Sequence, residues 1–137
     1  MKILLVGASS DIACHLYDNY SDKYEFIKLS TNSLFSCVDN FDILNPLTYL
    51  DIDSLDGIVY FPGTIVLKPF RQLEINDFKS DYDINVLGLL NILKFYETKL
   101  SIGSSIVFIS SVAASTGMPF HSSIAMCKSS LEALARS

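Results

Sequence analysis

Short apolar runs recur along this chain, and segments of helical periodicity separate them. Lys2–Val6, Glu25–Leu29, Leu34–Val38, Gly57–Phe61 and Ser105–Ile109 each read as a strand. Asp11–Tyr20 reads as a helix that Ser9 and Ser10 can cap, and Asn45-Pro46 supplies a cap and a first-turn proline for a short one. Ile75, Phe78, Tyr82, Val86, Leu89 and Leu93 recur at helical spacing and predict one long helix over Glu74–Leu100. A last helix begins near His121. Strands that are apolar throughout are strands buried on both faces, so the pattern predicts α/β architecture with a parallel sheet. Right-handed crossovers make that sheet doubly wound, with five strands and a ligand beyond their carboxyl ends.

Composition narrows the function. At 137 residues the chain makes one domain, 1–137, with no internal repeat or linker. Half the residues are apolar and 18% are charged, which excludes disorder. A net charge of −5 gives no basic patch for nucleic acid or an anionic membrane surface. No apolar run reaches the ~18 residues of a spanning helix, and Met1–Val6 is too short for a secretion signal. Cys14, Cys37 and Cys127 form neither a paired framework nor a metal-ligand spacing, so reduced thiols and a cytoplasmic setting are expected, with no metal.

Two segments carry chemistry. The first is Val6-Gly-Ala-Ser-Ser-Asp-Ile-Ala13, between the first strand and its helix. A glycine there lets the backbone approach a pyrophosphate, and free amides at a helix start attract its charge. The second runs from Ser105-Ile-Val-Phe-Ile-Ser110-Ser111 to His121-Ser-Ser-Ile124-Ala-Met-Cys-Lys128. It reads as a strand, a small-residue loop and a helix start, with polar side chains at the strand end and along one helix face.

A serine, then a residue four before a lysine, is the spacing of the short-chain dehydrogenase/reductase family, which this chain resembles. The resemblance implies a Rossmann-like fold, an NAD(P)-dependent oxidoreductase interconverting a carbonyl and an alcohol by hydride transfer, and a homo-oligomer, dimer or tetramer. By position Ser111, Lys128 and Asn85 match the family's serine, lysine and asparagine. In the family the serine hydrogen-bonds the substrate oxygen. The lysine lowers a tyrosine's pKa and binds the ribose, and the asparagine supports the lysine through water. Ile124 stands where that tyrosine belongs and has no proton to give. His121, three residues earlier, titrates near neutrality and is the candidate substitute donor; a helix-start histidine is the plain alternative.

The cofactor end matches in part. Of the glycines in the family's first loop only Gly7 is kept, with Asp11 and Ala13 at the other places. Gly7, Ser9, Ser10 and Ile12 would surround the pyrophosphate. No carboxylate follows the second strand, so Ser30 and Thr31, with Asn32, would meet a 2′-phosphate, which favours NADP over NAD. Asp42-Ile43 matches the family's aspartate–aliphatic pair beside the adenine. Tyr60-Phe-Pro-Gly63 replaces an Asn-Asn-Ala-Gly loop and keeps Gly63 alone.

The chain ends at Ser137 within a helix, and its fifth strand leaves an apolar edge open. The expectation is a C-terminally truncated form of the fold, without its substrate-covering segment. Two other readings stand beside the enzyme: a catalytically inactive nucleotide-binding or dimerising relative, and a flavodoxin-like or receiver-like domain sharing only the fold.

Overall fold

The structure, a computed structural model, describes residues 1–137. It contains two compact units, Met1–Pro62 with Asn91–Phe108, and Gly63–Leu90 with Ile109–Ser137.

The first unit holds the sheet. Strands β1 (Lys2–Val6), β2 (Glu25–Leu29), β3 (Leu55–Tyr60) and β4 (Leu100–Phe108) lie in the order β2-β1-β3-β4, all parallel. After β2 the chain returns past β1 and pairs β3 on its other side, so the winding reverses at β1. Leu4 faces Ile27 on one side and Ile58 on the other. Leu4, Leu5, Val6 and Ile58 are wholly buried, which is why the middle of each central strand is apolar, with Lys2 and Asp56 held toward the starts of β1 and β3. Edge strand β2 instead mixes in Glu25 and Lys28. Helix α1 (Asp11–Tyr20) meets it through Tyr17, whose ring lies 5.9 Å from that of Phe26 and 4.2 Å from the Lys28 ammonium. In β4, Leu100 faces Leu55 but Ser105 faces Gly57, so β4 bulges between them, and Gly103 supplies a φ of +83° there.

The sheet has four strands, not five. Leu34–Val38 carries no ladder. Asn32 Oδ1 accepts the Leu34 amide at 3.1 Å and starts a 3₁₀ turn over Ser33–Phe35, leaving Leu34 85% exposed. A local side-chain acceptor here outcompetes strand pairing.

The second unit is helical. The helix expected over Glu74–Leu100 is interrupted. It forms α2 (Ile75–Tyr82), a π-helical turn over Asp83–Leu87 and α3 (Gly88–Tyr96), then one 3₁₀ turn. Its Asn91–Tyr96 portion belongs to the first unit. Asn85 is the reason. Its Nδ2 donates to the Asp81 carbonyl at 2.8 Å, an acceptor that an α-helix reserves for the Asn85 amide. The ladder slips by one residue, and the Gly88 amide donates to Asp83. Helix α4 (Ser122–Arg136) buries Ser123, Ile124, Cys127, Lys128 and Leu131, one face at 3.6-residue spacing. No helix is long and apolar enough to cross a membrane.

Candidate functional site

In the first unit the loop after β1 turns on Gly7. Its φ is +77°, and a Cβ there would lie 2.9 Å from Pro62 Cδ, so the position admits glycine alone without a shift. The Gly7 and Ala8 amides both donate to the Leu29 carbonyl, at 2.8 and 3.1 Å, tying this loop to the end of β2. Ser10 caps α1, its Oγ accepting the Ala13 amide at 3.2 Å. The amides of Asp11 and Ile12 have no intrahelical acceptor, as at any helix start, and both residues are exposed. Ser9 Oγ accepts from the Ser30 hydroxyl at 2.9 Å. Ser30 is 2% exposed and also takes the Asn32 amide, so it orients Ser9, and Thr31 presents the exposed hydroxyl after β2. Exposed Asp42 accepts the Leu44 amide at Oδ1, and Ile43 beside it is buried.

In the second unit Gly63, Asn85 and Lys128 converge. Asn85 is fully buried, and its Nδ2 finds two carbonyls, Thr64 at 3.0 Å and Asp81 at 2.8 Å. Both amide hydrogens are thereby spent, which orients the group. The Asn85 Oδ1 has no partner. A Cβ on Gly63 would lie 3.1 Å from that oxygen and 3.6 Å from Lys128 Nζ, so Gly63 is the gap beside both groups. Lys128 is 8% exposed and donates to the Ile109 carbonyl at 2.8 Å. Burial holds its pKa below the ordinary lysine value. The next residue back, Cys127, has its thiol pushed up to about 11 by burial and by the charge of Asp81.

Ser111 caps the 3₁₀ turn Val112–Ala114, its Oγ accepting the Ala113 amide at 3.2 Å, and its hydroxyl hydrogen remains available to donate. Ile124 is buried in α4, with 4% of its surface exposed. His121 stands at the helix N-cap, and its Nδ1 donates to the Pro119 carbonyl at 2.6 Å. In the neutral ring that leaves Nε2 as an acceptor; only the imidazolium has a second proton to give.

Two residues of this region escape a sequence reading. Asp81 is wholly buried and accepts from the Thr64 hydroxyl at 2.9 Å and the Val66 amide at 3.2 Å. Ser123 is wholly buried with its Oγ unpartnered. Asp81 precedes Asn85 by four residues, the one trace in the sequence of their shared helix face. Nothing local marks Ser123. No group of three His, Cys, Asp or Glu residues is placed to hold a metal ion.

Known proteins resemble this chain over most of its length. A family model described as enoyl-(acyl carrier protein) reductase matches residues 48–137. Hydroxynaphthalene reductase arp2 of Aspergillus fumigatus is 25% identical over 101 residues, covering 74% of this chain but only 37% of the reductase. The fold agrees with the crystal structure of protein lin1944 from Listeria innocua, at a TM-score of 0.86 and 22% identity, over 98% of this chain and 68% of that one. It agrees also with a small-chain dehydrogenase solved in complex with NADPH, at a TM-score of 0.84 and 16% identity, over 98% of this chain and 61% of that one. With the family model matched over more than half of the sequence and the parallel α/β architecture shared, the chain belongs to the short-chain dehydrogenase/reductase family.

Proposed function

We propose that residues 1–137 act as a dinucleotide-binding, Rossmann-like domain for NADP(H), with NAD(H) the alternative, in an oxidoreductase that interconverts a carbonyl and an alcohol. The observation that carries this reading is the placement of a buried Lys128, its pKa lowered by burial, and the orphaned Asn85 Oδ1 beside the same glycine, Gly63. A buried ammonium and a bare carbonyl oxygen are costly unless something polar meets them. Ribose hydroxyls and an ordered water, the groups this family places there, can meet both. The glycine turn and the unsatisfied amides of α1 suit a pyrophosphate. Thr31, with no carboxylate following β2, favours a 2′-phosphate. Asp42 and Ile43 would border the adenine.

The bound dinucleotide would supply the hydride. Ser111 would donate to the substrate oxygen, and Lys128 would hold ribose hydroxyls. His121, as imidazolium, would deliver the proton that Ile124 cannot. A small carbonyl or alcohol is the substrate class, and the working form is a cytoplasmic homo-oligomer. The NADPH held by one structural relative supports the cofactor class.

Burial of Ile124 favours a second reading, a nucleotide-binding relative without turnover. Calorimetric titration with NADPH and NADH tests the shared part: folded protein that binds neither loses both readings. An assay across aldehydes, ketones and alcohols separates them. Binding without turnover supports the second, and turnover that survives His121→Phe removes His121 from the mechanism.

A further inference from the structure

The segment Phe41–Leu50 of the first unit is held from beneath by an aromatic cluster. The Tyr49 ring stacks on Tyr96 at 6.3 Å with 9° between planes, and meets Phe95 edge-on at 5.2 Å and Phe41 at 5.5 Å. The Tyr96 hydroxyl donates to the Leu50 carbonyl at 2.8 Å. The Tyr49 hydroxyl donates to the Ile43 carbonyl, a group that Asn91 Nδ2 also reaches, at 3.5 Å. Burial, with the Asp42 charge adding, holds this phenol well above its ordinary range, so it stays a donor at any working pH.

That bond acts on Asp42 through one rigid plane. The Ile43 carbonyl and the Leu44 amide belong to the same trans peptide and point in opposite directions. Tyr49 draws the carbonyl inward. The amide therefore turns outward, where it donates to Asp42 Oδ1 at 2.9 Å. Thr48 Oγ1 completes the frame by accepting the Asp42 amide at 3.0 Å. One carboxylate oxygen is thus spent on the loop, and the other is free on an exposed residue.

We infer that Tyr49 is a positioning residue for base recognition: by orienting the Ile43–Leu44 peptide it aims the Asp42 carboxylate at the exocyclic amine of adenine. The inference rests on the dinucleotide reading above. An aspartate beside the adenine is what the family resemblance implies; the control of its aim lies on a buried tyrosine.

The test compares NADPH with its hypoxanthine analogue, in which a carbonyl replaces the adenine amine, by calorimetry on the 137-residue chain. A hydrogen bond to a carboxylate predicts an adenine preference of about tenfold in the wild type. Tyr49→Phe keeps the ring and removes the hydroxyl. It should bring the preference to within about twofold while affinity for the hypoxanthine analogue stays put, a change of ratio that general loosening does not produce. Asp42→Asn, at an exposed position, should abolish the preference too. A wild-type ratio in Y49F overturns the role of Tyr49, and one in D42N overturns the Asp42 contact on which that role depends; Tyr49→Leu, which also removes the hydroxyl, decides the first point if Y49F does not fold. Wild-type protein that binds neither nucleotide refutes the dinucleotide reading instead, whereas binding with an unchanged ratio in the Tyr49 variant alone refutes only the role of Tyr49.

Discussion

The two groups of candidate residues solve the same problem, polar atoms at a site, in opposite ways. In the first unit Ser9, Thr31 and Asp42 are exposed, and apart from the Ser30–Ser9 bond the polar side chains meet near neighbours in sequence. Ser10 caps Ala13, Asn32 caps Leu34 and Asp42 caps Leu44. In the second unit Ser111 and His121 are bonded locally too, but Asp81, Asn85 and Lys128 are buried and find partners across long separations, Thr64 to Asp81, Asn85 to Thr64 and Lys128 to Ile109. This unit also leaves two oxygens, on Asn85 and Ser123, with no partner. A ligand at the first group exchanges water for ligand. One at the second group would relieve buried groups that nothing else satisfies, so more free energy is at stake there.

Substitutions should grade accordingly. The largest stability loss is expected for Asp81→Ala, which strands the Thr64 hydroxyl and the Val66 amide. We expect about 2–4 kcal/mol by urea denaturation, against under about 0.5 kcal/mol for Thr31→Ala in the first group. Equal losses for the two would erase the contrast. Ile124→Tyr forces a larger ring into a buried helix face and should cost about 1–3 kcal/mol. The same variant returns the missing phenol within one helical turn of Lys128, so carbonyl reduction should appear or rise. A stable I124Y protein that binds NADPH without turnover would favour the non-catalytic reading.

Gly7→Ala puts a methyl against Pro62 at a left-handed φ and should cost about 1–2 kcal/mol, with weaker NADPH binding. Ser10→Ala removes one cap and should cost about 1 kcal/mol. Smallest in energy is a labelling contrast. At pH 8 a thiol pushed up to about 11 is thiolate in only about one molecule in a thousand. Buried Cys127 should therefore resist iodoacetamide until the protein unfolds, while exposed Cys37 reacts in the native state. Rapid native labelling at Cys127 would mean that the α4 face opens readily.

The legible parts were those whose signal is local. Lys2–Val6, Asp11–Tyr20 and Glu25–Leu29 were read at their observed bounds, because an apolar run, a serine cap and a turn lie within a few residues of one another. Leu34–Val38 misled because an apolar run looks alike whether a strand pairs with it or an asparagine two residues ahead curls it into a 3₁₀ turn. The long helix was legible as helix but not as broken helix. Its π turn exists because Asn85 meets Thr64, twenty-one residues back, as well as Asp81. Family spacing singles out Ser111, Lys128 and Asn85 as candidates; that Lys128 and Asn85 border one gap at Gly63 is not in the spacing.

By itself, then, the order of residues determined the α/β alternation, the glycine turn after β1, the caps, and the absence of a phenol at position 124. Those depend on backbone preference and on contacts within a turn or two. Tertiary structure alone decided that Asp81, Asn85, Ser123 and Lys128 would be buried, and which of their polar atoms would go unmet. Burial is a property of what the rest of the chain brings to a residue, and the energetic meaning of a polar side chain follows its surroundings more than its name.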